Sequence, residues 1–391
     1  MKRSIQIVVL IDALGWEYIK DRKFLNDVLP YRKPLDTVLG FSSGAIPTIL
    51  TGVVPAQHRH WNLFYYDPKS SPFWWVKYFS FLPEPWLNNR YGRKILKEMG
   101  KRLFGLGKQF ECCVSPLYLP YFNWVEKKNI YDRGGIIGAP SIFDDLENEK
   151  TPYKVYSYHH STDAQIIDQV KSDLTNSDAS FFFVYLSEMD MFLHMNCGET
   201  AKIQAKLTWY EEQLSTVFAE AQKIDPDATF VICSDHGMTP VTKKHDLVAD
   251  VEALGLKLRT DYLSVYDSTM ARFWFFNDEA RAKMTAKLSS LTCGRILSPS
   301  ELQKLGLGFE DNRFGDLIFL LNPGWLIAKS DFNGGGWEPA GMHGYHPEDP
   351  YSDAVFLSNC DPGFEMRYIG DIHTVMKQMQ ERAMNVEQGV R

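Results

Sequence analysis

The chain has 391 residues, a hydrophobic share of 45% and a net charge of −7. That is enough for a large apolar core, with two or three domains within reach of the length. An acidic chain lacks the basic face that a phosphate backbone demands, which argues against a nucleic-acid polymer as the main partner. The six cysteines, Cys112, Cys113, Cys197, Cys233, Cys293 and Cys360, form no C-x-x-C pair, so neither a zinc ribbon nor a redox motif is indicated. Free thiols of a reducing compartment are expected, and with them a cytoplasmic location.

Residues 5–11 (IQIVVLI) read as a first buried strand, too short to span a membrane and followed by no small-residue cleavage site. Asp12 follows at once. The stretch from Gly40 to Gly52 then predicts a helix capped by Ser42 or Ser43 and stopped by Gly52.

Residues 63–135 are crowded with aromatics, among them Phe64, Trp74, Trp75, Trp86 and Trp124, and enclose a basic segment from Arg90 to Lys108. Its rings suit either a cap over a substrate or the core of a small insertion. The amphipathic run 93–106 reads first as a solvated helix face; contact with an anionic membrane surface is the alternative.

Helical spacing returns over 162–174 and 200–221, and strands are expected at Phe181–Leu186 and Thr229–Cys233. A second block, 246–324, holds strand-like 271–276, helix-like 278–288 and strand-like 316–321. Strands alternating with helices imply an α/β fold: one domain over 1–391 with a central, mostly parallel sheet flanked by helices, carrying 63–135 and 246–324 as insertions.

The strands at 5–11, Phe181–Leu186 and Thr229–Cys233 share a feature. Asp12 follows the first; Asp190 and His194 follow the second; Asp235, His236 and Gly237 follow the third. Ligands of open α/β sheets bind beyond the carboxyl ends of the strands. Aspartate oxygens and imidazole nitrogens gathered there suit Zn²⁺ and similar cations. A serine hydroxyl at a helix N-terminus, Ser42 or Ser43, would face a bound phosphate, and a divalent cation would make it a nucleophile near neutral pH.

These residues resemble the alkaline phosphatase superfamily, most closely its nucleotide pyrophosphatase/phosphodiesterase branch. In that superfamily the nucleophile sits ten residues before the Gly of a Thr-Gly pair; here Thr51-Gly52 points back to Ser42. Val54-Pro55 with His58-Arg59, Tyr66-Asp67-Pro68, Asp190 with His194, Asp235-His236-Gly237-Met238 and His343-Gly344-Tyr345 follow in the family's order. The resemblance implies one metal on Asp190, His194 and His343, and a second on Asp12, Asp235, His236 and the Ser42 oxygen. Three aspartates and two divalent cations would leave the site at about +1 before Ser42 ionises, which suits an incoming phosphate. Three imidazoles favour zinc, though manganese fits as well.

Some positions depart from the family. Its phosphodiesterases mostly use Thr where this chain has Ser42. Direct counting places Leu63 at the family's phosphate-binding Asn, with Asn62 one residue earlier as the stand-in. Gly44 and Ile46 replace the Pro and Arg of sulfatases, which excludes that activity. His346 is the alternative to His343, and His58 and His60 are candidate substrate contacts. The expected activity is a metal-dependent phosphodiesterase or pyrophosphatase acting on a small-molecule phosphate ester through a phosphoseryl intermediate. The alternatives are a phosphomonoesterase, a phosphoryl transferase acting on a glycan or lipid carrier, and a non-catalytic metal-binding scaffold.

Overall fold

The computed structural model describes residues 3–79, 81–82, 84–103, 114–157, 161–331 and 338–387. The central sheet has six strands: β1 (Gln6–Ile11), β2 (Tyr31–Leu35), β3 (Tyr153–Tyr156), β4 (Phe181–Leu186), β5 (Thr229–Cys233) and β6 (Ala354–Ser358). Their order is β2-β6-β5-β1-β4-β3. β5, β1, β4 and β3 run parallel, while β6 lies antiparallel to both β5 and β2. The sheet is therefore mixed but mostly parallel, as expected, with β6 alone running against the other strands.

β1, β4 and β5 are buried along their whole length, which is why they read as continuous apolar runs. Alternate residues serve opposite faces. Val8 and Leu10 join the core beneath helices Ile142–Asn148 and Asp371–Glu387. Ile7, Val9 and Ile11 join the core beneath Asp163–Asn176 and Thr200–Ile224. Each such side chain contributes about 1.5–3 kcal/mol of burial. β2 escaped the sequence reading because it carries Pro34 and four of its five residues reach solvent, as an edge strand allows.

Strand register positions the site. Leu10 pairs with both Tyr185 and Cys233, and Ile11 pairs with Leu186. The three central strands end flush, so the residues after them emerge side by side.

The second block forms an antiparallel sheet in the order Tyr262–Asp267, Met270–Phe275, Leu317–Leu321, Gly294–Ile296. One face packs on Leu247, Val251, Met284 and Leu288. The other face, through Leu263, Val265 and Trp274, shares a core with Phe64, Phe73, Trp75, Leu96 and Trp124 of the aromatic block. The two blocks are thus joined by packing. Arg272 reinforces the joint: wholly buried, it pairs with Asp267 and donates to the Phe64 carbonyl at 3.2 Å.

Some aromatics of 63–135 are therefore core, while Trp74, Tyr78, Phe81 and Trp86 stay exposed. The basic segment forms helix Arg90–Leu103; its expected continuation to residue 108 lies outside the described residues. So do Cys112 and Cys113, while Cys197, Cys233, Cys293 and Cys360 are free thiols. Among the described residues, no helix is long and apolar enough to cross a membrane.

Candidate active site

The site is assembled at the flush ends of β1, β4 and β5. Helix α1 (Ser42–Thr51) starts with Phe41 as its N-terminal boundary and no side-chain cap, and stops at Gly52 with φ 73°. Neither serine caps the helix, contrary to the sequence expectation. Both lie in its first turn, where side chains one residue apart diverge by about 100°. The Ser43 hydroxyl donates to the Trp61 carbonyl at 3.0 Å. The Ser42 Oγ instead lies 3.0 Å from His236 Nε2.

Helix α2 (Glu188–Asn196) carries Asp190 and His194 on one face, and their Oδ1 and Nε2 atoms are 3.3 Å apart. Buried Asp163 holds the start of α2 by accepting from the backbone N–H groups of Ser187 and Glu188. His343 Nε2 lies 3.6 Å from the same Asp190 oxygen. The Thr269 hydroxyl, from the second block's hairpin, is 3.2 Å and 3.1 Å from the His343 and Gly344 carbonyl oxygens. Gly344 has φ 89°, and a Cβ there would come within 2.8 Å of that same hydroxyl oxygen, so only glycine permits the approach.

Two groups emerge, Asp12–Asp235–His236 and Asp190–His236–His343, each with ligand atoms within 4.8 Å of one another. The rings of His236 and His343 stack at 3.8 Å, so the groups adjoin. His236 belongs to both, whereas the family resemblance assigned it to one. His194 stands beside the second group through Asp190.

The electrostatics of the first group are unusual. His236 Nδ1 is 2.9 Å from the Gly237 carbonyl, which can only accept, so Nδ1 carries the proton and Nε2 offers a lone pair. That lone pair faces Asp235 Oδ2 at 3.2 Å and Asp12 Oδ1 at 3.7 Å. Both oxygens are buried, and neither has a hydrogen-bond partner among the described residues. Acceptors thus converge on one another with no donor between the carboxylates. Burial first, then Asp235 and Asp190, push the Asp12 carboxyl well above its usual range. Such an arrangement is costly unless a cation fills it.

In the second group, burial works against the Asp190 charge. The hydrogen bond and charge of His194, with His343 and His236, nonetheless hold that carboxyl below its usual range. His194 is buried too, yet Asp190 raises its pKa. Its Nδ1 lies 2.8 Å from the Gly341 carbonyl, which fixes the ring. Burial and the neighbouring His236 keep His343 well below the usual imidazole range. The donor set of both groups therefore fits divalent cations held by oxygen and nitrogen.

The other sequence candidates are distributed unevenly. His346 turns away, with Nε2 3.4 Å from Glu301. His58 is fully buried, its Nε2 2.9 Å from Thr48 Oγ1 and its Nδ1 accepting from the His60 backbone, so it ties the chain to α1 and does not face a substrate. His60 is buried beside it, at a ring distance of 5.9 Å, with neither ring nitrogen partnered among the described residues. Burial pushes its pKa down to about 4.

Leu63, the position reached by direct counting, packs against the aromatic core. Asn62 is buried, its amide nitrogen without a partner among the described residues. It follows Trp61, whose backbone lies close against Gly44 in the first turn of α1.

Tyr185 was missed by sequence reasoning. It is the penultimate residue of β4, and its hydroxyl donates to Asp12 Oδ2, leaving Oδ1 for the cluster. A polar-tipped ring one residue from the end of an otherwise apolar strand is the signal that could have found it.

The model of a family described as type I phosphodiesterase/nucleotide pyrophosphatase matches residues 6–346. No curated protein sequence matches. Among solved structures, the chain is similar to human ectonucleotide pyrophosphatase/phosphodiesterase 5, with a TM-score of 0.67 at 12% identity over 97% of this chain and 95% of that one. It is also similar to an inactive variant of the murine protein in complex with AMP, with a TM-score of 0.67 at 14% identity and the same coverage. At such identities the structural likeness speaks for the fold.

Proposed function

The chain belongs to the type I phosphodiesterase/nucleotide pyrophosphatase family and is a hydrolase of that kind, and from that premise we propose that Ser42 is its nucleophile at a two-metal site. The observation that carries this reading is the Ser42 hydroxyl beside two adjoining groups of buried acceptors. Asp12, Asp235, His236 and the Ser42 oxygen would hold one cation; Asp190, His194 and His343 would hold the other. When bound, the cations would lower the pKa of the Ser42 hydroxyl and neutralise charge on the phosphate. Imidazole-rich donors favour zinc over manganese.

The chain's own residues account for the rest. The first turn of α1 directs Ser42 Oγ towards the phosphorus, and its free backbone N–H groups and dipole favour the anionic group. The Ser42 hydroxyl gives its proton to solvent as the Oγ–P bond forms; the ester or anhydride P–O bond breaks, and the leaving oxygen takes a proton back from solvent. Water then cleaves the phosphoseryl ester and regenerates the Ser42 hydroxyl. The Asn62 amide, buried and in want of an acceptor, is assigned to a phosphate oxygen. His60 lines the same turn of chain, and no contact among the described residues gives it a role in the reaction.

We take the substrate to be a small phosphodiester or pyrophosphate of the nucleotide class, since a protein of the same fold carries AMP. Replacing Ser42 with Ala tests the proposal. Hydrolysis of bis(p-nitrophenyl) phosphate is expected to vanish while metal content, measured by mass spectrometry, stays near two ions per chain. Retained turnover in that variant would refute Ser42 as nucleophile, and a metal content well under two in the loaded parent would refute the two-metal site.

A further inference from the structure

More than half of the large hydrophobic side chains exposed among the described residues lie between positions 74 and 103. Trp74, Tyr78, Phe81, Trp86, Tyr91 and Ile95 are each 50–79% exposed. The same stretch carries seven Lys or Arg residues and two Glu, a net +5 within a chain of net −7. Aromatic rings beside cationic heads suit the boundary between lipid headgroups and acyl chains.

Local structure sorts these groups by side. Helix Arg90–Leu103 rests on the core through Leu96, which joins Phe73, Trp75 and Val76. Tyr91, Ile95 and Arg102, at helical spacing, form a stripe on its outer side, and Lys94 flanks it. A groove of about 370 Å³ runs along Ile95, Met99 and Leu103, rimmed by Lys94, Arg102 and Glu98, the last two 3.7 Å apart. Upstream, Lys77 Nζ lies 5.9 Å from the Trp74 ring centre and 5.2 Å from that of Tyr78, a cation held against exposed rings.

We propose that the exposed side chains of Trp74, Tyr78, Phe81, Trp86, Tyr91 and Ile95, with Lys77, Lys94 and Arg102, form a docking surface for an anionic lipid bilayer, the rings and Ile95 entering the headgroup region and the basic side chains meeting lipid phosphates. Charge decides between this occupant and a second copy of the chain. A twofold contact would set two net +5 surfaces against each other, whereas a bilayer rich in anionic lipid supplies the opposite sign.

Co-sedimentation of the full chain with phosphatidylcholine vesicles, with and without phosphatidylglycerol, tests this. Binding is expected only to the phosphatidylglycerol vesicles, and is expected to weaken by about tenfold or more at high salt. The combined variant Phe81→Ser, Trp86→Ser and Ile95→Ser should lose binding but keep parental turnover of a soluble diester. Should that variant melt early, the pair Lys94→Glu and Arg102→Glu, changed at exposed positions, decides: loss of binding supports the proposal and retention overturns it. Equal binding to both vesicle types, binding to neither, or self-association abolished by the same variants would also overturn it.

Discussion

The strand-end cluster and the aromatic core beside it are built on opposite terms. In the aromatic core and its neighbouring sheet, buried polar groups find partners. Trp274 Nε1 donates to the Asn312 carbonyl at 2.7 Å, Trp124 Nε1 to Glu126 at 2.9 Å, and Arg272 meets Asp267. At the strand ends, buried Asp12 Oδ1 and Asp235 Oδ2 have no hydrogen-bond partner among the described residues. One region contributes stability through satisfied packing; the other gives up stability by gathering buried acceptors that could hold a metal ion. Unpartnered buried acceptors converge at the candidate site, and the packed region around it holds them in place.

The sharpest way to break this contrast is to change each region and read both stability and metal. Asp235→Ala should abolish one metal position and reduce turnover by more than the about 10- to 100-fold typical of an outer-shell change. Its metal-free form should melt higher than the parent, because a repelling carboxylate is gone. A lower melting temperature would show that the cluster is ordinary structural polarity.

In the packed region the sign reverses. Asp267→Ala leaves the Arg272 guanidinium buried without its carboxylate and should cost about 3–5 kcal/mol in urea unfolding. Replacing both partners with apolar residues should recover most of that loss. If the single change were harmless, Asp267 would not be what holds the Arg272 charge in place at the joint.

Tyr185→Phe probes the boundary between the regions. Losing the hydroxyl that orients Asp12 should weaken one metal by about 10- to 100-fold, read by competition with a chelating dye, with little effect on melting of the metal-free chain. An equal loss at both metals, or a large change in melting, would make Tyr185 a packing residue only.

The last prediction concerns pH. His60 titrates at about 4 in the folded chain, below the ordinary 6.5 of an unfolded imidazole. Its contribution to stability is complete above pH 6.5 and is lost as pH falls towards 4, because the unfolded state binds the proton first. His60→Gln should flatten the stability–pH curve in that window by about 1.4 kcal/mol per pH unit. An unchanged slope would mean that His60 is solvated.

How much was legible in advance depended on how local each signal was. Buried strands advertise themselves as short apolar runs, so β1, β4 and β5 and the acidic residues after them could be read directly. The edge strand could not: Pro34 and the solvent-facing side chains of β2 break the pattern. The helix expected between Gly40 and Gly52 is present, but the capping role given to its serines is not, since Phe41 is the boundary.

From the order of amino acids alone came which residues stand at strand ends and in what succession, because strand hydrophobicity and the residue after it are neighbours along the chain. Which atoms meet was settled only on folding. Ser42 and Ser43 differ by a rotation about α1, and contact with Trp61 sets that rotation. His343 and His346 differ by the path of the chain through Gly344, and contact with Thr269 sets that path. Asn62 and Leu63 differ by one step, and the aromatic core takes Leu63. Tyr185 reaches Asp12 because β1 and β4 run in register. Each choice turns on helix phase, backbone course or strand register, and these are set by packing between segments far apart in sequence.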